Sequence, residues 1–240
     1  MKPLTFPGRV AIVAGGTGGL GRAVSLAFLE EGARVVVTYR RQEEFDLLMS
    51  EAGAAGSRLD GQRVDVTDEA ASSALVEGAV ARHGRLDALV NTVGGYAGGT
   101  KLWELETKVF DQMLNVNLRS GYVLARSAVR VMLRQGRGAL VNVASQAAVD
   151  PGAGAAAYAA SKAAAVALME SLAVDLKGTG VRVNSILPSI IDTEVNRRMI
   201  PGADFSKWPK PRDIARVILF LCGDEARVIH GAAIPVYGDQ

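Results

Sequence analysis

Five short runs, "RVAIVAG", "ARVVVTYR", "LDALVNT", "GALVNVAS" and "VRVNSILP", recur along the chain with helix-length segments between them. Each is nearly all apolar, rich in β-branched residues and too short for a core helix, which is the pattern of a strand buried on both faces. The intervening segments, Gly18 to Glu31, Gln42 to Ala54, Asp68 to His83, about Thr107 to Arg134 and Ala155 to Lys177, carry apolar residues at helical spacing. Strands that alternate with helices call for right-handed crossovers and a parallel sheet covered on both sides. The expected fold is therefore a doubly wound α/β domain. No fixed-period repeat, low-complexity tract or linker interrupts the pattern, so one domain is expected across residues 1–240. The irregular stretch from Ser189 to Lys210 is long for a connection inside a compact domain and is expected to be a substrate lid.

Charge and composition narrow the partners. The chain is 49% hydrophobic and 22% charged, with a formal net charge of +2 and no long block of one sign, so neither a nucleic-acid surface nor an acidic tail is indicated. The single cysteine, Cys222 in "VILFLCGD", excludes an internal disulfide framework and reads as a buried structural thiol. The opening "MKPLTFPGRV" lacks the apolar run of a signal peptide, and no window approaches the roughly 18 apolar residues of a membrane span. His83 and His230 have no cysteine or carboxylate neighbours at ligand spacing, so no metal site is expected. These features point to a soluble cytoplasmic protein whose partner is a small molecule.

The first strand runs directly into "AGGTGGLGRA", where Gly15, Gly19 and Gly21 have the spacing G-x-x-x-G-x-G and a helical pattern follows. Glycines there let the backbone approach a pyrophosphate, whose charge is met by free N–H groups and the positive end of the helix. The second strand ends "VVVTYRRQ". An acidic residue at that place grips a ribose 2′-hydroxyl, whereas arginine accommodates a 2′-phosphate. Tyr39 stands where the acid is expected and Arg40 and Arg41 follow, favouring NADP(H), with NAD(H) possible. "RVDVTDEA" ends a third strand with Asp65, placed to reach the adenine edge, while Asp68 can equally serve as a helix N-cap.

Chemistry is suggested by "AAAYAASKAAA", Ala155 to Ala165. Eight alanines in eleven residues favour a helix. Tyr158 and Lys162 then lie one turn apart on one face. Reduction of a carbonyl needs a proton donor aimed at the oxygen as hydride reaches carbon. A free phenol has a pKa of about 10, and an ammonium nearby lowers it by favouring phenolate. Tyr158 is thus a candidate acid/base and Lys162 its tuning group.

The glycine spacing, "NTVGG" from Asn91, "VNVAS" ending at Ser145 and "YAASK" from Tyr158 to Lys162 together resemble the short-chain dehydrogenase/reductase family over nearly the whole chain. The resemblance implies a Rossmann-type sheet, a nicotinamide cofactor, and catalysis by Ser145, Tyr158 and Lys162 with a supporting Asn117. Ser145 would hydrogen-bond the substrate oxygen, and Lys162 would also hold the nicotinamide ribose. Asn117 would hold a water linking Lys162 to solvent, with Asn115 a nearby competitor. The resemblance also places Gly15, Thr17, Gly19, Leu20, Gly21, Asp65, Val66, Asn91, Gly94, Pro188, Ile191 and Thr193 along the cofactor; Thr193 can equally cap a helix.

Two departures stand out: the family's "NNAG" is "NTVG" here, and its Pro-Gly after the sixth strand is Pro188-Ser189. Neither removes a catalytic group. The loop "VGGYAGGTKLWE" carries Tyr96 and Trp103 as aromatic platforms and resembles the corresponding loop of dihydropteridine reductases, making a flat heterocycle one candidate beside ketones, aldehydes and 3-oxoacyl thioesters. A non-catalytic protein that senses NADPH is the rival reading, and its signature would be loss of Tyr158, Lys162 or Ser145. Helices such as Phe110 to Arg134 and the alanine-rich one commonly pair in proteins of this resemblance, so a homotetramer is expected, or a homodimer.

Overall fold

The computed structural model describes residues 6–239. Seven strands, β1 (Val10–Ala14), β2 (Arg34–Tyr39), β3 (Leu59–Arg63), β4 (Ala88–Asn91), β5 (Gly138–Val143), β6 (Val181–Pro188) and β7 (Ala233–Val236), form one sheet in the order β3-β2-β1-β4-β5-β6-β7. Every pairing is parallel. The main helices are α1 (Gly19–Glu30), α2 (Gln42–Ala52), α3 (Glu69–His83), α4 (Thr107–Leu114), α5 (Ser120–Gln135), α6 (Ala156–Asp175), α7 (Glu194–Met199) and α8 (Pro211–Cys222).

Successive side chains of a strand point to opposite faces, and the core divides accordingly. Ala11, Val13, Val35, Val37 and Val141 pack with Val24 and Phe28 of α1 and Ile214 and Ile218 of α8. Ile12, Val36, Leu89, Leu140 and Val183 face Leu75 of α3, Leu124 of α5 and Met169 of α6. The doubly wound Rossmann-type sheet follows from runs apolar on both faces. Cys222 is buried in the α8 layer. Among the described residues α6 is the one helix long and apolar enough to cross a membrane by length and composition, with mean hydropathy 1.2. That qualifies the reading that no window approaches such a span. Its alanines serve packing, for Ala157, Ala165 and Ala173 are buried.

Three boundaries differ from expectation. The segment expected to be helical from Gln42 to Ala54 leaves the α-helix at Ala52, because Gly53 takes φ +52° and a 3₁₀ stretch, Gly53–Arg58, follows. The third strand stops at Arg63 rather than Asp65, since Arg63 pairs with Tyr39, the last residue of β2. The helix expected from Thr107 to Arg134 contains a π-helical segment, Asn115–Arg119, joining α4 to α5. Asp68 caps α3, accepting from the Ala71 N–H at 2.7 Å.

Candidate active site

All seven strands run in one direction, so the loops after β1, β2, β4, β5 and β6 gather at one end of the sheet. Open α/β sheets bind ligands beyond their carboxyl ends where the strand order reverses, here between β1 and β4. A cleft there is lined by Gly15, Thr17, Arg40, Val66, Val93 and Gly94 among others. Its floor is backbone. A Cβ on Gly21 would fall 2.0 Å from the Gly15 carbonyl oxygen, and Gly15 itself has φ +73°. Thr92 of the altered "NTVG" donates to the Ala14 carbonyl at 2.7 Å, and Thr38 accepts from the Gly15 N–H at 2.8 Å, holding the turn against the sheet. Leu20 is buried in the first turn of α1.

The far end of the cleft contains a residue that sequence reasoning missed. Glu44 of α2 accepts from Thr17 Oγ1 at 3.2 Å and from Arg41 Nε at 3.0 Å. Arg41 is therefore engaged by a carboxylate, while Arg40 lines the cleft and is exposed. Nothing in the local pattern marks Glu44, which looks like an ordinary acidic residue in a first helical turn. Asp65 is not part of the cleft lining. Its carboxylate is turned back on Thr67, accepting from the N–H at 3.0 Å and from Oγ1 at 2.8 Å, and these bonds hold it below its ordinary pKa. Its neighbour Val66 lines the cleft instead.

The reactive groups lie beyond β5. Ser145 follows that strand in extended backbone, and its hydroxyl accepts from the Ala147 N–H at 3.2 Å. It also hydrogen-bonds Tyr158, favouring phenolate. Burial outweighs that bond and pushes the Tyr158 phenol above its ordinary value, with Tyr96 adding to the rise. The expectation that the phenol lies below its ordinary value is thereby corrected, for burial outweighs what favours phenolate. The Lys162 Nζ lies 5.9 Å from the Tyr158 ring centroid and donates to the Val143 carbonyl at 3.1 Å. Burial lowers Lys162 from 10.5 to about 8.

Asn117 is buried and Asn115 exposed within the π-helical segment that carries them. The Asn117 side chain accepts from the Gly95 N–H at 2.8 Å and donates to the Gly95 carbonyl at 3.0 Å and to Ser161 Oγ at 2.9 Å. A Cβ on Gly94 would come within 3.1 Å of both Asn117 Oδ1 and Lys162 Nζ, so these two polar groups meet beside Gly94. Asn91 donates to Asn142 Oδ1 at 3.0 Å and accepts from the Val93 N–H at 3.1 Å, a scaffold bridging two strand ends. Pro188 ends β6, and Ser189, in place of a glycine, donates to the Tyr237 carbonyl at 2.7 Å. Thr193 caps α7 by accepting from the Asn196 N–H at 3.2 Å, while its methyl faces Gly19, where a Cβ would lie 2.8 Å away. Ile191 packs on the α1/α8 core layer.

Known proteins are similar to this chain in sequence and fold. Residues 9–203 match the short chain dehydrogenase family. A 3-oxoacyl-[acyl-carrier-protein] reductase of Thermotoga maritima is 31% identical, covering 98% of this chain and 98% of its own. Among solved structures, ElxO with NADP bound superposes with a TM-score of 0.90 at 27% identity, covering 96% of this chain and 97% of that one. A 7α-hydroxysteroid dehydrogenase complexed with NADH and 7-oxo glycochenodeoxycholic acid gives 0.88 at 30% identity, with coverage of 98% and 95%. The chain belongs to the short-chain dehydrogenase/reductase family and is an oxidoreductase that transfers hydride between a nicotinamide cofactor and an alcohol or carbonyl group.

Proposed function

We propose that this enzyme reduces a small carbonyl substrate with a preference for NADPH, using Tyr158 as proton donor, Ser145 to hold the substrate oxygen and Lys162 with Asn117 to return the proton. The observation that carries the reading is the grouping of these side chains: Ser145 hydrogen-bonds Tyr158, the Lys162 Nζ lies 5.9 Å from the Tyr158 ring centroid, and Lys162 and Asn117 meet beside Gly94 of the cleft. The bound nicotinamide supplies hydride in reduction and accepts it in oxidation. Tyr158 gives its proton to the oxygen as charge develops there. The Ser145 hydroxyl donates to that oxygen and stabilises the charge that develops on it. Lys162, charged below about pH 8, favours the phenolate and then restores its proton. Asn117, fixed by Gly95 and Ser161, holds the outer end of the proton path. The residues fit the cofactor: Gly15, Thr17, Gly19, Leu20 and Gly21 would meet the pyrophosphate, Val66 and Asn91 the adenosine half, and Pro188, Ile191 and Thr193 the nicotinamide side.

Arg40 supports the NADPH preference as an exposed cation lining the cleft, with Arg41 beside it but shared with Glu44. The lid reading of 189–210 is supported by the Thr193 methyl, which faces Gly19 of the glycine turn. A homotetramer, or a homodimer, is supported by apolar grooves beside α5 and α6 at Tyr122, Leu118, Leu168 and Leu172. A cytoplasmic setting fits the lone buried thiol.

The test is oxidation of NADPH and NADH over diketones, 3-oxoacyl thioesters, aldehydes and quinonoid dihydropterin, with Tyr158→Phe in parallel. Loss of about 10²–10⁴-fold in turnover is expected for the variant. NADPH binding without turnover of any carbonyl, or a variant as active as the parent, would overturn the assignment and favour a sensing role.

A further inference from the structure

Tyr96, in the loop between β4 and α4, is 58% exposed, yet its ring has a defined partner. It stands edge-to-face on Tyr158, with centroids 5.0 Å apart and planes inclined at 74°. Gly98 makes this placement possible, since a Cβ there would lie 2.1 Å from the Tyr96 hydroxyl oxygen and 2.6 Å from Cζ. The loop is also closed onto the approach to α6. The Thr100 N–H donates to the Gly154 carbonyl at 3.3 Å, and a Cβ on Gly154, at φ +75°, would meet the Gly99 backbone at 3.4 Å. Backbone-to-backbone contact therefore ties the loop bearing Tyr96 to the segment that leads into Tyr158. From 92 to 103 the only charged side chain is Lys101. Leu102 and Trp103, 64% and 81% exposed, extend its apolar character.

Resting on the assignment of Tyr158 above, the geometry assigns Tyr96 as a positioning and specificity-determining residue, whose ring steadies the Tyr158 phenol and forms a wall for a planar cyclic or aromatic carbonyl. An aromatic ring with much of its surface in solvent offers a face to a second ring, and ring pairs favour offset or edge contacts that a flexible chain does not reproduce. The groups that face the Tyr158 phenol are the Ser145 hydroxyl from the loop after β5, the Tyr96 phenol from the loop after β4, and Lys162 from its own helix. Moving Tyr96 therefore changes the reacting phenol as well as the substrate wall.

The test compares Tyr96→Phe, Tyr96→Ala and Gly98→Ala, with NADPH and matched carbonyls: benzaldehyde and cyclohexane-1,2-dione against hexanal and butane-2,3-dione. Tyr96→Ala is expected to lower the ring-to-linear ratio of kcat/KM by about threefold to tenfold. Tyr96→Phe keeps the ratio, because the ring remains, but moves the pH–rate limb of Tyr158 downward, because the hydroxyl that helps raise it is gone. Gly98→Ala reproduces the Tyr96→Ala ratio by displacing the ring. An unchanged ratio in Tyr96→Ala, a Gly98→Ala variant indistinguishable from the parent, or a parent with no preference for ring substrates overturns the proposal. Failure of the underlying assignment is read separately, as turnover that survives Tyr158→Phe.

Discussion

Replacing Lys162 by Met is expected to stabilise the cofactor-free protein near neutral pH while abolishing turnover. The amine is 5% exposed, and burial lowers it from 10.5 to about 8. At about 1.36 kcal/mol per pH unit, that gap corresponds to about 3 kcal/mol. Below pH 8 the lysine is charged in both the folded and the unfolded chain, so the fold carries the whole cost of a buried ammonium. Between about 8 and 10.5 the unfolded chain keeps the proton while the folded chain sheds it, and stability rises with pH. Above that window both forms are neutral and the cost is gone. Met does not titrate, so its advantage over Lys should shrink by about 3 kcal/mol between pH 7 and pH 10.5. Losing the bond to the Val143 carbonyl lowers the variant by about 1 kcal/mol at every pH without altering that change. The assay is urea unfolding at fixed protein concentration, followed by tryptophan fluorescence, across this range. A stability difference that stays flat with pH would refute the reasoning, because it would mean the ammonium bears no burial cost.

Glu44→Gln releases Arg41, and the NADPH-to-NADH ratio of kcat/KM is expected to rise about threefold to tenfold; steady-state kinetics with both cofactors checks it, and a fall would show that Glu44 instead grips the ribose. Gly21→Ala places a methyl against the Gly15 carbonyl, so a loss of about 1–3 kcal/mol in stability and weaker binding of both cofactors are expected from thermal unfolding and fluorescence titration. Asp192 joins the two ends of the 189–210 segment, accepting from Arg197 at 2.8 Å and Lys210 at 2.6 Å, and these cations hold its carboxyl well below the usual range. That stabilisation is complete above the ordinary carboxylate pKa of about 3.9 and fades only as pH falls through the lower folded value. Asp192→Asn should therefore expose Arg197, Arg198 and Lys207 to faster tryptic cleavage, with the parent resistant at the same pH.

Where the sequence was readable, the reason is local. Ile12 and Val13 face opposite layers of the core, so a strand buried on both sides must be apolar at every position, and that continuity is visible without knowing its neighbours. The end of β3 was hidden because it depends on a partner. "RVDVT" remains rich in β-branched residues, but Tyr39 supplies the last rung and Asp65 bonds Thr67 instead. The π-helical segment was hidden for a different reason: apolar periodicity across 107–134 is compatible with one added residue per turn at Asn115–Arg119. Within it Asn117 is buried beside Lys162 and Asn115 is exposed.

The active site shows the same division between what spacing fixes and what packing decides. Four residues of helix put Tyr158 and Lys162 on one face, yet spacing alone says nothing about where the ammonium points. In the fold it is turned to the Val143 carbonyl, and burial dominates the titration of both groups. Tyr158 is raised from its ordinary 10.0 and Lys162 lowered from 10.5 to about 8, so their proton affinities move apart and the phenol becomes the tighter holder of its proton. Return of a proton from the Lys162 ammonium to the phenolate left by reduction therefore runs downhill. Tyr96 was legible as an aromatic platform, but its contact with Tyr158, like that of Glu44 with Thr17, was not, for these partners lie on other elements of the chain. The residues that make the chemistry possible are thus written in short motifs, whereas those that adjust its substrate and cofactor are defined by contacts the folded sheet brings together.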